Sequence, residues 1–225
     1  MNGELFLVAT PIGNLGDLTF RAAETLKTVS LIACEDTRRT QKLMHHLGIS
    51  KPLLRYDEHV HGRASGEIIR RLTGGEKIAL VTDAGTPTIS DPGLRLVTEA
   101  IKEGIRVVPI PGASSPIAAL SASGMGKEGF IFIGFLPRKE GRALAALKES
   151  LDSGRTVIFL ESPFRIERTL EMIAKIGPQI QVVVARELTK LNEEIIRGTV
   201  QQVIEITKGR LWKGEIVVLI EMQEK

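Results

Sequence analysis

Apolar positions along the first half of the chain alternate between short continuous runs and helical stripes. Residues 5–9 read as a buried strand, followed by a Gly/Pro/Asn loop over 10–17 and a helix over 19–28. Residues 31–34 form the next strand. The helix after it, 38–47, places Leu43, Met44 and Leu47 on one face and stops at Gly48. A third strand at 53–56 leads to a helix that buries Ile68, Ile69 and Leu72 and closes at Gly74-Gly75. A fourth strand at 78–82, a helix introduced by Pro92 and Gly93 and running to Lys102, a fifth strand at 106–110 and an Ala/Ser-rich helix over 115–121 complete the rhythm. Repeated βα units with near-continuous Val/Ile/Leu strands predict a mostly parallel sheet covered on both faces.

The second half is patterned differently. Strands are expected at 130–135, 156–160, 181–185, 194–198 and 215–221, and helices at 142–151, 164–176 and, after Thr199 as N-cap, 200–208. Ile166, Leu170 and Ile173 share one face of the middle helix. Only residues 186–193 separate two of the strands, which predicts a hairpin and hence a mixed sheet. The Gly-rich break at 123–129 marks a domain boundary. The fold class expected is therefore α/β in two domains, 1–122 with a parallel sheet and the ligand loops, and 123–225 with a mixed sheet that closes a ligand cleft.

Composition changes this picture little. An apolar fraction of 43% and a charged fraction of 25% are those of a soluble globular protein. Apolar runs such as 216–220 are too short to span a bilayer. No basic segment precedes the apolar N-terminal residues, so a strand, not a signal peptide, is expected there, in a cytoplasmic protein. The single cysteine, Cys34, sits in an apolar run and reads as a small buried hydrophobe; it excludes an internal disulfide and a cysteine-rich metal site. A net charge of +3 is compatible with an anionic partner without requiring one. Tryptophan and tyrosine occur once each, which argues against an aromatic platform for single-stranded nucleic acid.

Candidate chemistry lies in three loops that follow strand C-termini, where open α/β sheets bind ligands. They are residues 10–17, 82–93 and 111–116, each dense in Gly, Pro and small polar residues that let a ligand approach the backbone. Any one alone reads as a turn; three at one sheet edge read as a site. The phosphate-loop pattern G-x-x-x-x-G-K-[ST] is absent, and the first loop lacks G-x-G-x-x-G. The four histidines show no zinc-binding spacing, and no metal is expected.

Several long segments, in order, resemble the tetrapyrrole methylase superfamily, and within it the branch acting on ribosomal RNA. They are Ala9-Thr-Pro-Ile-Gly-Asn-Leu-Gly-Asp17, Cys34-Glu-Asp-Thr-Arg-Arg-Thr40, Val81-Thr-Asp-Ala-Gly-Thr-Pro-Thr-Ile-Ser-Asp-Pro-Gly93, Pro109-Ile-Pro-Gly-Ala-Ser114, Gly134-Phe-Leu-Pro-Arg-Lys139, Glu161-Ser-Pro-Phe-Arg165, Ala185-Arg-Glu-Leu-Thr-Lys190 and Gly214-Glu-Ile-Val-Val218. The resemblance covers essentially the whole chain. It implies S-adenosylmethionine-dependent 2′-O-methylation of a cytidine ribose in the decoding centre of 16S small-subunit rRNA, acting on the RNA or the 30S subunit, by a homodimer. It also implies a donor pocket using Pro11, Asp83, Gly85, Thr86, Ile89, Ser114, Ser115, Leu160, Ala185 and Glu215. Two positions depart from the family pattern: Phe164 stands where a histidine is usual, and Tyr56-Asp-Glu-His-Val-His61 replaces a His-Glu-His-Asn-type run. Family members also often continue into a helical tail past the last strand, whereas this sequence stops at Lys225; if that tail touches RNA, a different grip on the substrate is expected here.

A ribose hydroxyl is a weak nucleophile and profits from a base. Asp36, at the end of the second strand, is the candidate, with Glu58 and His59 as alternates; Asp36 reads equally as a helix N-cap. Arg38, Arg39, Arg138, Lys139, Arg165 and Arg186, with Lys42, Arg142 and Lys190, recur in the same loops and predict a phosphate-contacting rim. Two rivals stand beside this reading: C-methylation of a precorrin-like tetrapyrrole, and a non-catalytic ribosome-assembly factor.

Overall fold

The computed structural model describes residues 2–57 and 61–222. The chain divides into two compact units, Met1–Ser114 and Ser115–Lys225. In the first unit the order is β1 (Glu4–Val8), α1 (Phe20–Thr28), β2 (Leu31–Cys34), α2 (Thr37–His46), β3 (Leu53–Arg55), α3 (His61–Thr73), β4 (Lys77–Val81), α4 (Leu94–Lys102) and β5 (Arg106–Ile110). The strands form one parallel sheet in the order β3-β2-β4-β1-β5.

Right-handed crossovers fix where the helices lie. The chain steps one way across the sheet from β1 to β3 and back from β3 to β5, so α1 and α2 cover one face and α3 and α4 the other. Side-chain alternation along each strand follows suit. Ile32 and Cys34 of β2 and Ala79 and Val81 of β4 pack with Ala22, Leu26, Leu43 and Met44. Leu31 and Ala33, with Ile78 and Leu80, pack with Ile68, Leu72, Leu96 and Ala100. Burial on both faces is why these strands are apolar without interruption. Cys34 is fully buried, as its run predicts, and Ile69 is only half-buried.

The second unit runs α5 (Ser115–Ser123), β6 (Phe130–Phe135), α6 (Glu140–Leu151), β7 (Thr156–Glu161), α7 (Ile166–Ile176), β8 (Gln181–Arg186), β9 (Glu194–Thr199), α8 (Val200–Thr207) and β10 (Ile216–Glu221). Its sheet, β6-β7-β10-β8-β9, is mixed: β6 and β7 are parallel, and the remaining pairs, including the β8–β9 hairpin, are antiparallel. Leu147, Ile166, Leu170, Ile173, Val200 and Val203 cover one face of it. A reciprocal capping box between Thr199 and Gln202 starts α8.

The boundary falls at Ser114/Ser115, not at 122/123. The helix α5, expected to end the first domain, packs against β7 and β10 of the second sheet. The helix expected from residue 164 begins at Ile166, because Ser162-Pro163-Phe164 is spent on a turn in which the Phe164 N–H donates to Ser162 Oγ. No helix among the described residues is long and apolar enough to cross a membrane.

Candidate active site

Strands β1 and β4 are neighbours, yet their following helices leave to opposite faces, which opens a crevice at the sheet's C-terminal edge. The loops that flank it are tied by main-chain bonds. The Thr10 N–H donates to Gly85 O (2.9 Å) and the Gly85 N–H to Thr10 O (3.0 Å). The Thr10 hydroxyl donates to Thr82 O, and the Thr86 hydroxyl to Ala113 O in the loop after β5, each at 3.1 Å. Loops 10–17, 82–93 and 111–114 are thus brought together, and with them Pro11, Asp83, Gly85, Thr86, Ile89 and Ser114. Gly85 takes φ +92°, which L side chains rarely adopt, and a Cβ there would meet Ile12 Cγ2 at 3.5 Å. A Cβ on Gly112 would lie 2.9 Å from that of Ala9. Thr88 (φ 73°) and Ser90 (φ 62°) are also left-handed, a strain that ordinary turns avoid. The result is a cradle built mainly of backbone and hydroxyl groups, with Asp83 at its side, open to a small polar ligand.

Beside it, between the ends of β2, β3 and β4, lies an open groove of about 1330 Å³ with a different lining: Glu35, Asp36, Arg38, Asp57, Asp83 and Asp91. Asp36 is the N-cap of α2. Its Oδ1 accepts from the Arg38 N–H (2.8 Å), and the Arg38 guanidinium bonds both carboxylate oxygens at 3.1 and 2.7 Å. These bonds hold its pKa well below the usual carboxylate range, so Asp36 is a helix cap and a weak proton acceptor. Asp83 joins the two loops, accepting from the Asp36 N–H at 3.1 Å and pairing with Arg39 at 3.4 Å. Glu58 and His59 lie outside the described residues.

The carboxyl that the sequence reading missed is Asp91. Burial pushes its pKa up to about 6, with Asp83 adding to the rise. Burial, then Asp83 and Asp91, raise Glu35 as well. The sequence signal for Asp91 is slight, since Asp-Pro-Gly reads first as a turn.

In the second unit, β10 begins where β7 and β8 end. Val217 pairs with Leu160 on one side and Ala185 on the other, so these two candidates share one row, and Glu215 is the residue just before β10. The adjoining loop is strained at Glu187 (φ 51°) and Thr189 (φ 66°). The buried Thr189 hydroxyl has no hydrogen-bond partner among the described residues.

The expected basic rim splits in two. Arg165 pairs with Glu161, whose side chain is 0% exposed, and donates to the carbonyls of Leu136 (3.1 Å) and Pro137 (3.3 Å). Arg186 pairs with Glu194 and donates to Asn192 O and Lys213 O. Both are staples between loops, each guanidinium held by one carboxylate and two carbonyls. Lys190 is likewise held, by Glu187 and Glu215. Arg38 and Arg39 are exposed but paired with Asp36 and Asp83. Arg138, Lys139 and Arg142 are exposed, and none of the ion pairs among the described residues involves them.

The family model for tetrapyrrole (corrin/porphyrin) methylases matches residues 4–204. Proteins named ribosomal RNA small subunit methyltransferase I are similar along nearly the whole chain. That of Halalkalibacterium halodurans is 48% identical over 97% of this chain and 76% of its own length. That of Thermotoga maritima is 44% identical over 99% of this chain and 100% of its own. Among solved structures, diphthine synthase superposes with TM-score 0.75 at 15% identity, over 99% of this chain and 92% of that one. Uroporphyrin-III C-methyltransferase of Thermus thermophilus, complexed with S-adenosylhomocysteine, gives TM-score 0.67 at 17% identity over 96% and 97%.

Proposed function

This chain belongs to the tetrapyrrole methylase family, and from that premise we propose that it methylates the 2′-hydroxyl of a cytidine in the decoding centre of 16S rRNA. It is an S-adenosylmethionine-dependent methyltransferase. The observation that carries the RNA reading is 44–48% identity, along nearly the full chain, to relatives named for small-subunit rRNA. Segments 34–40 and 134–139 support the same branch by their resemblance.

The donor-holding residues proposed in the first unit are Pro11, Asp83, Gly85, Thr86, Ile89 and Ser114; for Ser115, Leu160, Ala185 and Glu215 of the second unit the role rests on the family resemblance alone. S-adenosylmethionine, when bound, supplies an electrophilic methyl group for in-line displacement by a hydroxyl oxygen. The protein's part is chiefly to hold the reactants in line, an effect worth up to about 7–11 kcal/mol. A proton must also leave the ribose oxygen. Asp91, with a pKa of about 6, is ionised at neutral pH yet basic enough to accept it, whereas Asp36 is held too acidic by Arg38. A base so tuned contributes roughly 10²- to 10⁴-fold. We assign the acceptor role to Asp91 in preference to Asp36. The exposed Arg138 and Lys139 are the proposed phosphate contacts, with Arg38 and Arg39 contributing less because each is already paired.

Mass spectrometry of rRNA nucleosides from a strain lacking the protein tests the reaction: loss of one 2′-O-methylcytidine is expected, and an unchanged profile rejects it. Calorimetry with S-adenosylmethionine tests the non-catalytic alternative, which predicts no binding by the folded protein. The homodimer is proposed from the family resemblance, and light scattering of the purified protein checks it. Likeness to C-methyltransferases of tetrapyrroles at 16–19% identity carries the fold alone.

A further inference from the structure

The most solvent-exposed aromatic ring of the second unit has no role in the reading above. Phe164 is 95% exposed, in the loop between β7 and α7. Such exposure alone is ordinary for a single residue; what sets Phe164 apart is how its loop is held and what lies beside it. The loop that carries it is not loose. Arg165, the next residue, pairs with buried Glu161 and donates to Leu136 O and Pro137 O in the loop after β6, while the Thr169 hydroxyl donates to the other Glu161 oxygen at 2.7 Å. The 161–165 loop is therefore fixed beside residues 136–139. That neighbour carries Arg138 and Lys139, exposed and outside every ion pair among the described residues, and Phe135, 60% exposed, ends the strand leading into it.

A rigidly mounted ring flanked by uncommitted cations is the pairing used to hold single-stranded nucleic acid: a base stacks on the ring while the cations meet the phosphates. We infer that Phe164 stacks on an unpaired base of the RNA substrate, with Arg138 and Lys139 on the adjoining phosphates. The inference rests on the rRNA-methyltransferase reading and adds to it the residue that grips an unstacked nucleotide. The scarcity of tryptophan and tyrosine argues against an extended platform; one phenylalanine suffices for one base. A histidine in place of Phe164 would also offer a flat ring.

The test is methyl-transfer kinetics on purified small ribosomal subunits and on protein-free 16S rRNA, with Phe164→Ala, Phe164→Leu, Phe164→His and Phe164→Trp. Stacking predicts that Ala and Leu raise KM for the better substrate by roughly 5- to 150-fold, the equivalent of one lost base–ring contact. His and Trp should keep KM near the wild-type value. In all four, calorimetric affinity for S-adenosylmethionine and thermal stability should stay unchanged, because the ring packs on nothing in the unit. A Leu variant that matches wild type overturns stacking in favour of an apolar contact. A lower molecular mass for the Ala variant by light scattering, with KM unaltered, assigns the ring to a second copy of the chain instead. A wild-type protein that methylates neither substrate rejects the enzyme reading, and the RNA partner with it.

Discussion

Different forces hold the ligand loops of the first unit and the charged loops of the second. In the first, Thr10, Gly85, Thr86 and Ala113 are joined through backbone groups and two hydroxyls, with little charge involved. In the second, carboxylate–cation pairs do the joining: Glu161 with Arg165, Glu194 with Arg186 and Arg210, and Lys190 with Glu187 and Glu215. Loops held by backbone tolerate most side-chain changes except at glycines whose conformation is special. Loops held by ion pairs depend on particular side chains, and the more buried the pair, the more its loss costs.

The sharpest way to break this contrast is Glu161→Ala. Its side chain is 0% exposed, and its removal strands the Thr169 hydroxyl and leaves the half-buried Arg165 without its anion. We expect a loss of about 3 kcal/mol by urea unfolding, near the lower end for breaking a buried pair because Arg165 keeps two carbonyls. Arg138→Ala, in the neighbouring loop, should change stability by less than about 0.5 kcal/mol. Equal effects would erase the distinction between staple and free cation.

Gly85→Val tests the backbone-held side. A β-branched residue at φ +92° costs about 1–3 kcal/mol, and the strain falls on the bridge to Thr10. Affinity for S-adenosylmethionine should drop at least about tenfold by calorimetry. Thr86→Val, which deletes only the bond to Ala113 O, should cost about 1 kcal/mol. If the glycine change left donor binding intact, the cradle would not be where the donor sits.

How much of this was legible in the sequence follows the same division. Strands β2, β5 and β6 lie at the residues their apolar runs predict; β2 is buried on both faces, while the edge strands β5 and β6 are bounded by the glycine- and proline-rich segments that flank them. The three first-unit loops could be read from Gly and Pro, since those residues encode backbone conformation directly. Helix α5 was assigned to the wrong unit: Ser-Pro-Ile-Ala-Ala-Leu-Ser-Ala-Ser is small and weakly sided, so its pattern does not say which sheet it covers. The internal partners of Arg165 and Arg186 could not be read in advance, because a sequence displays a charge but not its partner. Asp91 went unnoticed for a related reason: its altered acidity comes from burial and from Asp83, both products of the fold.

That altered acidity sets Asp91 against the second-unit carboxylates in its response to pH. Asp91 has its pKa raised from 3.8 to about 6, so the folded protein binds this proton more readily than the unfolded chain. Its contribution therefore favours the fold at low pH and is lost as pH climbs through about 6. The second-unit carboxylates behave oppositely. Hydrogen bonds from Lys190 and Arg210 lower Glu187 and Glu194, whose contributions are present above the usual carboxylate range and fade as pH falls. Asp91→Asn should thus stabilise the protein at pH 8 by about 1–2 kcal/mol and flatten the dependence between about pH 4 and 6. It should also abolish the acid limb of the kcat profile near pH 6 along with most activity. Stabilisation with full activity would leave the buried carboxyl as a structural liability and return the proton acceptor to another residue.

The smallest expected effect on stability separates the cations most finely. Single changes of Arg38, Arg39, Arg138 and Lys139 to glutamine should each alter unfolding free energy by less than about 0.5 kcal/mol, since all four are exposed. Their effects on RNA binding should differ. A cation without an internal partner neutralises a phosphate outright and releases a counterion, whereas Arg38 and Arg39 must first leave Asp36 and Asp83, each of which then faces the phosphate as a second negative charge. Binding of 16S rRNA measured between low and physiological salt should therefore lose about 0.7 from the log–log slope for Arg138→Gln or Lys139→Gln, and a smaller fraction for Arg38→Gln or Arg39→Gln. A wild-type affinity that stays flat across that salt range would remove the phosphate contacts altogether. Equal slopes for all four variants would mean that pairing within the protein does not tax these arginines, and that exposure alone decides which cations meet the RNA.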